Sequence, residues 1–177
     1  RMARNIEIKA RIGSIEATAA RAAALADKGP VEIDQDDTFF NCPDGRLKLR
    51  ARPSGDGELI FYRRPDQPGP KESFYLLART AEPDALREVL TLAWGASGRV
   101  LKHRSLYWCG RTRIHLDRVE GLGSFIELEV LLAEGESAAA GEAVARELMH
   151  KLGIRDDQLV DGAYLDLLRA EKAGGVE

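Results

Sequence analysis

Charged and apolar residues alternate with a period of two through most of this sequence, and that pattern restricts the chain to strands with one ionic face. The segment Arg46-Leu47-Lys48-Leu49-Arg50-Ala51-Arg52 sets four cations against Leu47, Leu49 and Ala51, because successive side chains of a strand point to opposite faces. Near the start, Asn5, Glu7, Lys9 and Arg11 alternate with Ile6, Ile8, Ala10 and Ile12. Further on, Lys102 and Arg104 share a face with Val100 and Leu106. Arg113, His115 and Asp117 oppose Ile114 and Leu116, and Phe125, Glu127 and Glu129 oppose Ile126, Leu128 and Val130. The signs are segregated, cations on some strands and carboxylates on others, whereas ordinary solvated faces mix them.

The alternation and its turn signals predict strands over 5–12, 32–40, 46–52, 58–64, 72–79, 99–108, 112–119 and 124–132, broken by Gly/Pro/Asp/Ser clusters such as Pro43-Asp44-Gly45. Helices fill the remaining intervals. Ser14 caps an Ala-rich helix running to Asp27 and closed by Gly29-Pro30. A second helix opens near Thr80 and aligns Leu86, Val89, Leu90 and Ala93 into an apolar face. A third starts at about Ser137, presents Val144, Leu148 and Leu152, and stops at Gly153. A short last helix, capped by Asp161, carries Tyr164, Leu165 and Leu168, with a loose tail over 171–177. The whole, 1–177, reads as one domain with its core between about 3 and 168.

The apolar stripes of the helices need a platform, and the Leu/Ile/Val strand faces supply it. A sheet curled away from those helices gathers its charged faces inside a barrel, where a water-filled interior holds many charges and a packed one could not. The competing arrangement is an antiparallel sheet with its charged face in water. The expected class is therefore α+β, a largely antiparallel sheet of about eight strands, closed or strongly curled, with helices outside.

Composition removes several function classes. The chain has 26 Lys+Arg against 29 Asp+Glu, a net charge of −3, which argues against general nucleic-acid binding. The 46–52 run alone could make a nucleic-acid patch, but the carboxylates expected beside it weigh against that. No apolar run approaches the roughly 18–20 residues of a membrane span. The opening residues lack the apolar stretch of a signal peptide, so the cytoplasm is the expected compartment. Cys42 and Cys109 stand far apart with no CxxC, suggesting neither a disulfide framework nor a zinc site.

A lumen lined with Lys and Arg suits a multiply charged anion. Guanidinium matches phosphate oxygens in bidentate fashion and Lys acts as a point charge; each contact at about 4 Å carries roughly 4 kcal/mol of attraction at an effective dielectric near 20, before desolvation. The carboxylates Glu7, Asp117, Glu127 and Glu129 would repel that anion unless a cation intervened. Mg²⁺ or Mn²⁺ does so, since both favour oxygen ligands and bridge carboxylates to phosphates. The pattern reads as a metal-dependent polyphosphate site without a P-loop or a Gly-rich dinucleotide turn.

On these residues the chain resembles the triphosphate tunnel metalloenzymes, the CYTH superfamily, which includes class IV adenylyl cyclases, thiamine triphosphatases and inorganic triphosphatases. The family's N-terminal Glu-x-Glu-x-Lys strand is matched by Asn5-Ile6-Glu7-Ile8-Lys9, followed by Arg11. Its internal Lys-x-Arg pair is matched by Lys48-Leu49-Arg50, its later basic pair by Lys102-His103-Arg104, and its carboxylate strands by the segment from Arg113 to Asp117 and by Glu127-Leu128-Glu129. Asp37-Thr38-Phe39-Phe40 is similar to a segment of the cyclase-like branch. The resemblance implies an eight-stranded antiparallel barrel that binds a triphosphate with one or two divalent cations. By the same resemblance Glu7, Glu127 and Glu129 would be metal ligands, with Asp117 a further ligand or a group behind them. Lys9, Arg11, Lys48, Arg50, Arg63, Lys102, Arg104 and Arg113 would hold phosphates, and Lys9 and Glu129 would serve the chemistry. Asn5 departs from the pattern: its amide oxygen can ligate but carries no charge, so one metal position is weakened or substrate preference is altered.

Three activities fit: hydrolysis of a triphosphate, the preferred reading; cyclisation of ATP to cyclic AMP and pyrophosphate; and binding without turnover. The expected partner is a small-molecule triphosphate, with no nucleic acid and no membrane, and a homodimer is left open. His115 reads first as a hydrogen-bonded lining residue and second as a phosphate contact or proton carrier. His103, facing the other way, reads as structural, and His150 suits a helix C-terminus.

Overall fold

The computed structural model describes residues 3–174 and contains eight strands and four α-helices. In chain order these are β1 (Ala3–Arg11), α1 (Ile15–Leu25), β2 (Lys28–Phe40), β3 (Arg46–Ala51), β4 (Gly57–Arg63), β5 (Lys71–Thr80), α2 (Pro83–Trp94), β6 (Ala96–Cys109), β7 (Thr112–Val119), β8 (Gly123–Leu131), α3 (Ala138–Lys151) and α4 (Tyr164–Gly174), with a 3₁₀ turn at Asp156–Gln158. The strands close into a ring in the order β1-β5-β4-β3-β2-β6-β7-β8, every neighbour antiparallel. The expected closed antiparallel sheet with outer helices is thus present. No helix among the described residues is long and apolar enough to cross a membrane.

The main core lies outside the ring. Ile8 and Ala10 of β1, Ile114 and Leu116 of β7, and Ile126 and Leu128 of β8 are buried under Ile15 and Ala22 of α1 and Leu148, Met149 and Leu152 of α3. These strand residues are the apolar half of the alternation, so covering them turns the ionic half inward. Truncating one such fully buried Leu or Ile to Ala costs about 2–5 kcal/mol, so the direction of curl is strongly specified. Ser14 caps α1 by accepting from the Ala17 N–H, and Ser137 caps α3 by accepting from the Ala140 N–H. Helix α3 approaches β1 closely at Gly141, where a Cβ would lie 2.6 Å from both Ile6 and Leu132. The second cluster, Phe39, Val100, Val119, Leu122 and Phe125 with Tyr164 and Leu165 of α4, closes one end of the ring.

Several expected details differ. Helix α1 ends at Leu25, and β2 begins at Lys28 and runs through Gly29-Pro30, because Asp27 N–H already donates to Trp108 O and draws the chain onto β6. Helix α2 starts at Pro83, with Leu86, Arg87 and Leu90 half-buried, and the Arg87 guanidinium donates to Thr38 Oγ1. Val89, of the expected apolar face, is 60% exposed, and Leu92 is 82% exposed. At the start of α4 the Ala163 N–H is accepted by Asp166, not Asp161. The stretch expected to be a loose tail continues as helix through Gly174, and 175–177 lie outside the described residues.

Candidate active site: the barrel lumen

The ionic half of each strand lines one interior cavity of about 330 Å³. Strand β1 contributes Asn5, Glu7 and Lys9; β3 contributes Lys48 and Arg50; β6 contributes Lys102 and Arg104; β7 and β8 contribute Arg113, His115, Glu127 and Glu129. A larger hollow of about 650 Å³ borders β2, β6 and β7 and shares Gln35, Arg52 and Lys102 with the lumen. It collects signs at random (Asp34, Asp36, Arg118, Glu120) and has no converging set of like charge, so the lumen is the candidate site.

Strand register fixes who meets whom. Lys9 stands opposite Glu127, and Glu7 opposite Glu129, across β1 and β8; His115 stands opposite Glu127, and Arg113 opposite Glu129, across β7 and β8. Lys9 Nζ lies 3.3 Å from Glu127 Oε1, donates to Gly162 O at 3.1 Å, and sits 4.0 Å from the Tyr164 ring centroid. Burial pushes Lys9 down to about 8; Glu127 opposes the shift, while Arg64 and Lys102 reinforce it. Burial raises Glu7, and its neighbours Glu129 and Glu127 add to that against the pull of Arg64. Burial would also raise Glu127, but Lys9 and then His115, Lys102 and Arg104 hold it well below the usual carboxylate range.

The cations form two clusters, each around one buried carboxylate. Arg50 donates to Asp37 at 2.7 and 2.8 Å, and Lys48 donates to the same carboxylate at 2.9 Å. Arg104 donates to Asp117 at 2.7 Å through two nitrogens, with Lys102 at 3.2 Å and the Tyr164 hydroxyl at 2.9 Å. Burial lowers Lys48 to about 8, Asp37 opposing and Arg50 and Lys102 reinforcing the shift. Burial opposes ionisation of Asp117 too, yet Arg104 and Lys102 keep it ionised far below its ordinary value.

Two sequence expectations, Arg63 and Arg11, need correction in place, and for Asp117 the structure favours one of the two expected positions. Arg63 points outward, donating to Asp44 O at 2.6 Å and stacking over Phe61, while Arg64 enters the lumen and donates to Glu7 at 2.9 Å and to Gly162 O at 2.8 Å. The reason is parity: Ile60, Tyr62 and Arg64 line the cavity, so Arg63 cannot. Arg11 keeps the inward parity of β1 but lies past the cavity, donating to Leu122 O at 3.3 Å and to Glu171 at 3.4 Å. Asp117 is fully buried beneath Arg104, Lys102 and Tyr164, so its oxygens are taken up by those donors, and it stands behind the lining as an anchor for cations. The residues missed from sequence are Arg64, the counter-ion Asp37, and Tyr164, whose ring and hydroxyl close the end of the lumen under α4.

Polar atoms in the lumen are left with unused capacity. Asn5 Oδ1, Gln35 Oε1, Ser73 Oγ, His115 Nδ1, Arg64 Nε and Arg113 Nε are buried with no hydrogen-bond partner, a condition costing roughly 1–3 kcal/mol per group. Clustering of these atoms around one cavity marks it as built for a polar occupant. The donor set also fits a divalent ion: His115, Glu127 and Glu129 each offer one ligand atom, all within 4.8 Å of one another, and Glu7 stands opposite Glu129.

A closed antiparallel ring with an ionic lumen, carboxylates grouped on β1 and β8 and cations on β3, on β6 and just past the end of β4, defines a tunnel-type barrel. The CYTH domain matches residues 3–164, and the chain belongs to that family. It is 24% identical over 172 residues to "Adenylate cyclase CyaB" of Aeromonas hydrophila, covering 92% of this chain and 87% of that protein. The PH1012 protein from Pyrococcus horikoshii OT3 superposes with a TM-score of 0.84 at 22% identity, covering 93% of this chain and 99% of that one. A Hippeastrum protein described as a putative adenylyl cyclase with a dominant triphosphatase activity superposes with a TM-score of 0.67 at 17% identity, covering 94% and 96%.

Proposed function

We propose that the protein is a divalent-metal-dependent enzyme that hydrolyses a triphosphate held in the lumen, whether of a nucleoside, another organic group or inorganic phosphate. The observation that carries this reading is the separation of buried charge: two cation clusters facing a carboxylate group across one cavity with unpartnered polar atoms. Lys48, Arg50, Lys102 and Arg104 hold the phosphate chain, with Arg64 and Arg113 on its flanks. Glu127 and Glu129, beside Glu7, hold Mg²⁺ or Mn²⁺, which when bound offsets the charge on phosphate oxygens. The pre-set guanidinium groups stabilise charge gathering on the transferred phosphoryl group without having to reorganise. A water oxygen bonds to the terminal phosphorus, the bridging P–O bond breaks, and the water's proton passes to Lys9 Nζ or a neighbouring carboxylate. Lys9 suits that task, because burial keeps its basicity near neutral pH.

A second reading, cyclisation of ATP to cyclic AMP and pyrophosphate, draws support from the name of the Aeromonas relative. Product analysis separates the readings. ATP, inorganic tripolyphosphate and thiamine triphosphate are each incubated with Mg²⁺ and with Mn²⁺, and orthophosphate, pyrophosphate and cyclic AMP are scored. Orthophosphate without cyclic AMP, abolished by EDTA and by Glu129→Ala, is the expected result. Cyclic AMP with equimolar pyrophosphate would reverse the ranking, and tight triphosphate binding with no product would make the lumen a binding site only.

A further inference from the structure

Among the described residues that line the lumen, His115 is the one imidazole, and its position is unusual. The residue is 3% exposed, and its Nδ1 has no hydrogen-bond partner. That atom lies 3.7 Å from Glu127 Oε2 and 3.7 Å from Glu129 Oε1, too far for hydrogen bonds. A buried imidazole nitrogen aimed between two carboxylate oxygens, bonding neither, is a poor arrangement for a structural histidine. It is a good one for three ligands of one ion. Donors bound at about 2.1 Å to a common metal stand about 3.0 Å apart when adjacent in octahedral geometry and about 3.4 Å apart in tetrahedral geometry, and the three ligand atoms, within 4.8 Å of one another, reach that spacing by drawing inward on the ion.

The surrounding charges decide which ion gains most. Glu127 already faces Lys9 at 3.3 Å and Arg104 at 3.1 Å, and Glu129 faces Arg113 at 2.7 Å. The negative field that draws a hard cation is therefore largely offset before any ion arrives. Asn5, also lining this cavity with an unpartnered oxygen, adds a dipole and no charge. Mg²⁺ depends on anionic oxygen and gains little from imidazole, whereas affinity for a mixed nitrogen–oxygen site climbs along the transition series.

We propose that His115 Nδ1 is a direct metal ligand together with Glu127 and Glu129, and that it makes this lumen favour a transition divalent cation over Mg²⁺. The inference rests on the reading of the lumen as a divalent-cation site and assigns its selectivity.

The test is Mn²⁺ binding followed by electron paramagnetic resonance, with Mg²⁺ as competitor, with and without tripolyphosphate and independent of turnover. Bound Mn²⁺ in the wild type should show electron spin-echo modulation from one directly coordinated nitrogen, and that signal should shift with ¹⁵N-histidine labelling. His115→Asn should weaken Mn²⁺ by about tenfold or more, the order that even changes behind the ligands produce, and leave Mg²⁺ within about twofold. If His115→Asn fails to fold by circular dichroism, the nitrogen signal of the labelled wild type decides alone. Mn²⁺ bound without nitrogen coupling in both conditions, or equal loss of Mn²⁺ and Mg²⁺ in a folded variant, overturns the inference and leaves triphosphate hydrolysis standing. No divalent ion bound in either condition overturns the inference and the metal site of the proposed function together.

Discussion

Asp117→Asn separates an anchoring carboxylate from a metal-binding one. Asp117 is wholly buried and takes two hydrogen bonds from Arg104 at 2.7 Å, one from Lys102 at 3.2 Å and one from Tyr164 at 2.9 Å. Asparagine preserves the volume and one acceptor oxygen, so the change is chiefly a lost charge that leaves buried Lys102 without its ion-pair partner and Arg104 with Glu127 at 3.1 Å. Removing one partner of such a cluster costs about 3–5 kcal/mol, and for a chain of this size that is a fall in Tm of about 6–20 °C. Urea unfolding followed by circular dichroism measures it, with the midpoint lowered and the slope unchanged. The pH dependence has a definite sign. Because Asp117 is held far below its unfolded value, its stabilisation is full above about pH 4 and lost as pH falls further, so the wild type and the variant should converge only in strong acid. Tripolyphosphate should raise the Tm of the variant more than that of the wild type, since phosphate oxygens replace the missing charge. A variant within about 1 kcal/mol of the wild type, or one of normal stability that has lost Mn²⁺ affinity, would refute the anchoring argument and return Asp117 to the ligands.

Arg64→Ala should weaken tripolyphosphate binding by about 10–100-fold, the equivalent of one or two charge-assisted hydrogen bonds, while Arg63→Ala should stay within about twofold; calorimetric titration of both variants compares them. Lys9 and Lys48 are each lowered to about 8 by burial, against about 10.4 in an unfolded chain. The folded state therefore sheds those protons first, and stability should rise between about pH 8 and pH 10. Above that, Tyr62 and Tyr164, both raised by burial, bring the reverse trend; a series of urea melts across this range checks both limbs. Tyr164→Phe keeps the ring over Lys9 and Lys102 but removes a hydrogen bond to Asp117, so it should cost about 1.5–3 kcal/mol in the same melts, the range for a bond to a charged group.

What could be read from the sequence follows from which physical contrast each residue carries. Strands such as 46–52 and 124–132 alternate ions with aliphatics, so covering the aliphatic side determines the lumen side. Strand β4 has no such contrast, since Ile60 and Tyr62 face in while Leu59 and Phe61 face out, and the choice between Arg63 and Arg64 is lost with it. Arg11 has the correct parity, but alternation says nothing about height along the barrel, and only the ring's closure at Leu122 and Glu171 places it outside the cavity. The pairing of Arg104 with Asp117 was open to counting: the tight turn at Gly110-Arg111 sets Cys109 opposite Thr112, and stepping back along both strands brings Arg104 to Asp117. His115 reaches Glu127 by the same count through the Glu120–Leu122 turn, although its unpartnered nitrogen is a property of packing. Helix α2 misled because an i, i+3, i+4 stripe shows that a face is apolar without showing that anything covers it.

The internal charge arrangement explains why the lumen tolerates its cations and still awaits an anion. Asp37 carries one negative charge and serves Lys48 and Arg50; Asp117 carries one and serves Lys102 and Arg104. Each cluster therefore keeps about one unit of positive charge, and the two stand on adjacent strands, with Asp37 paired to Val100 and Gln35 to Lys102 across β2 and β6. A lone buried cation in each cluster would be prohibitive, and full neutralisation would leave nothing for a phosphate to recognise. Sharing one carboxylate between two cations meets both conditions. On the opposite wall Glu7, Glu127 and Glu129 are each faced by one cation, Arg64, Lys9 and Arg113, so that wall holds no surplus positive charge for a phosphate. A polyphosphate lying against the cation clusters brings its far oxygens toward those carboxylates, and that end can be held only if a divalent cation joins the two. Anion and metal therefore need each other in this lumen, and each should bind more tightly when the other is present, by the same factor.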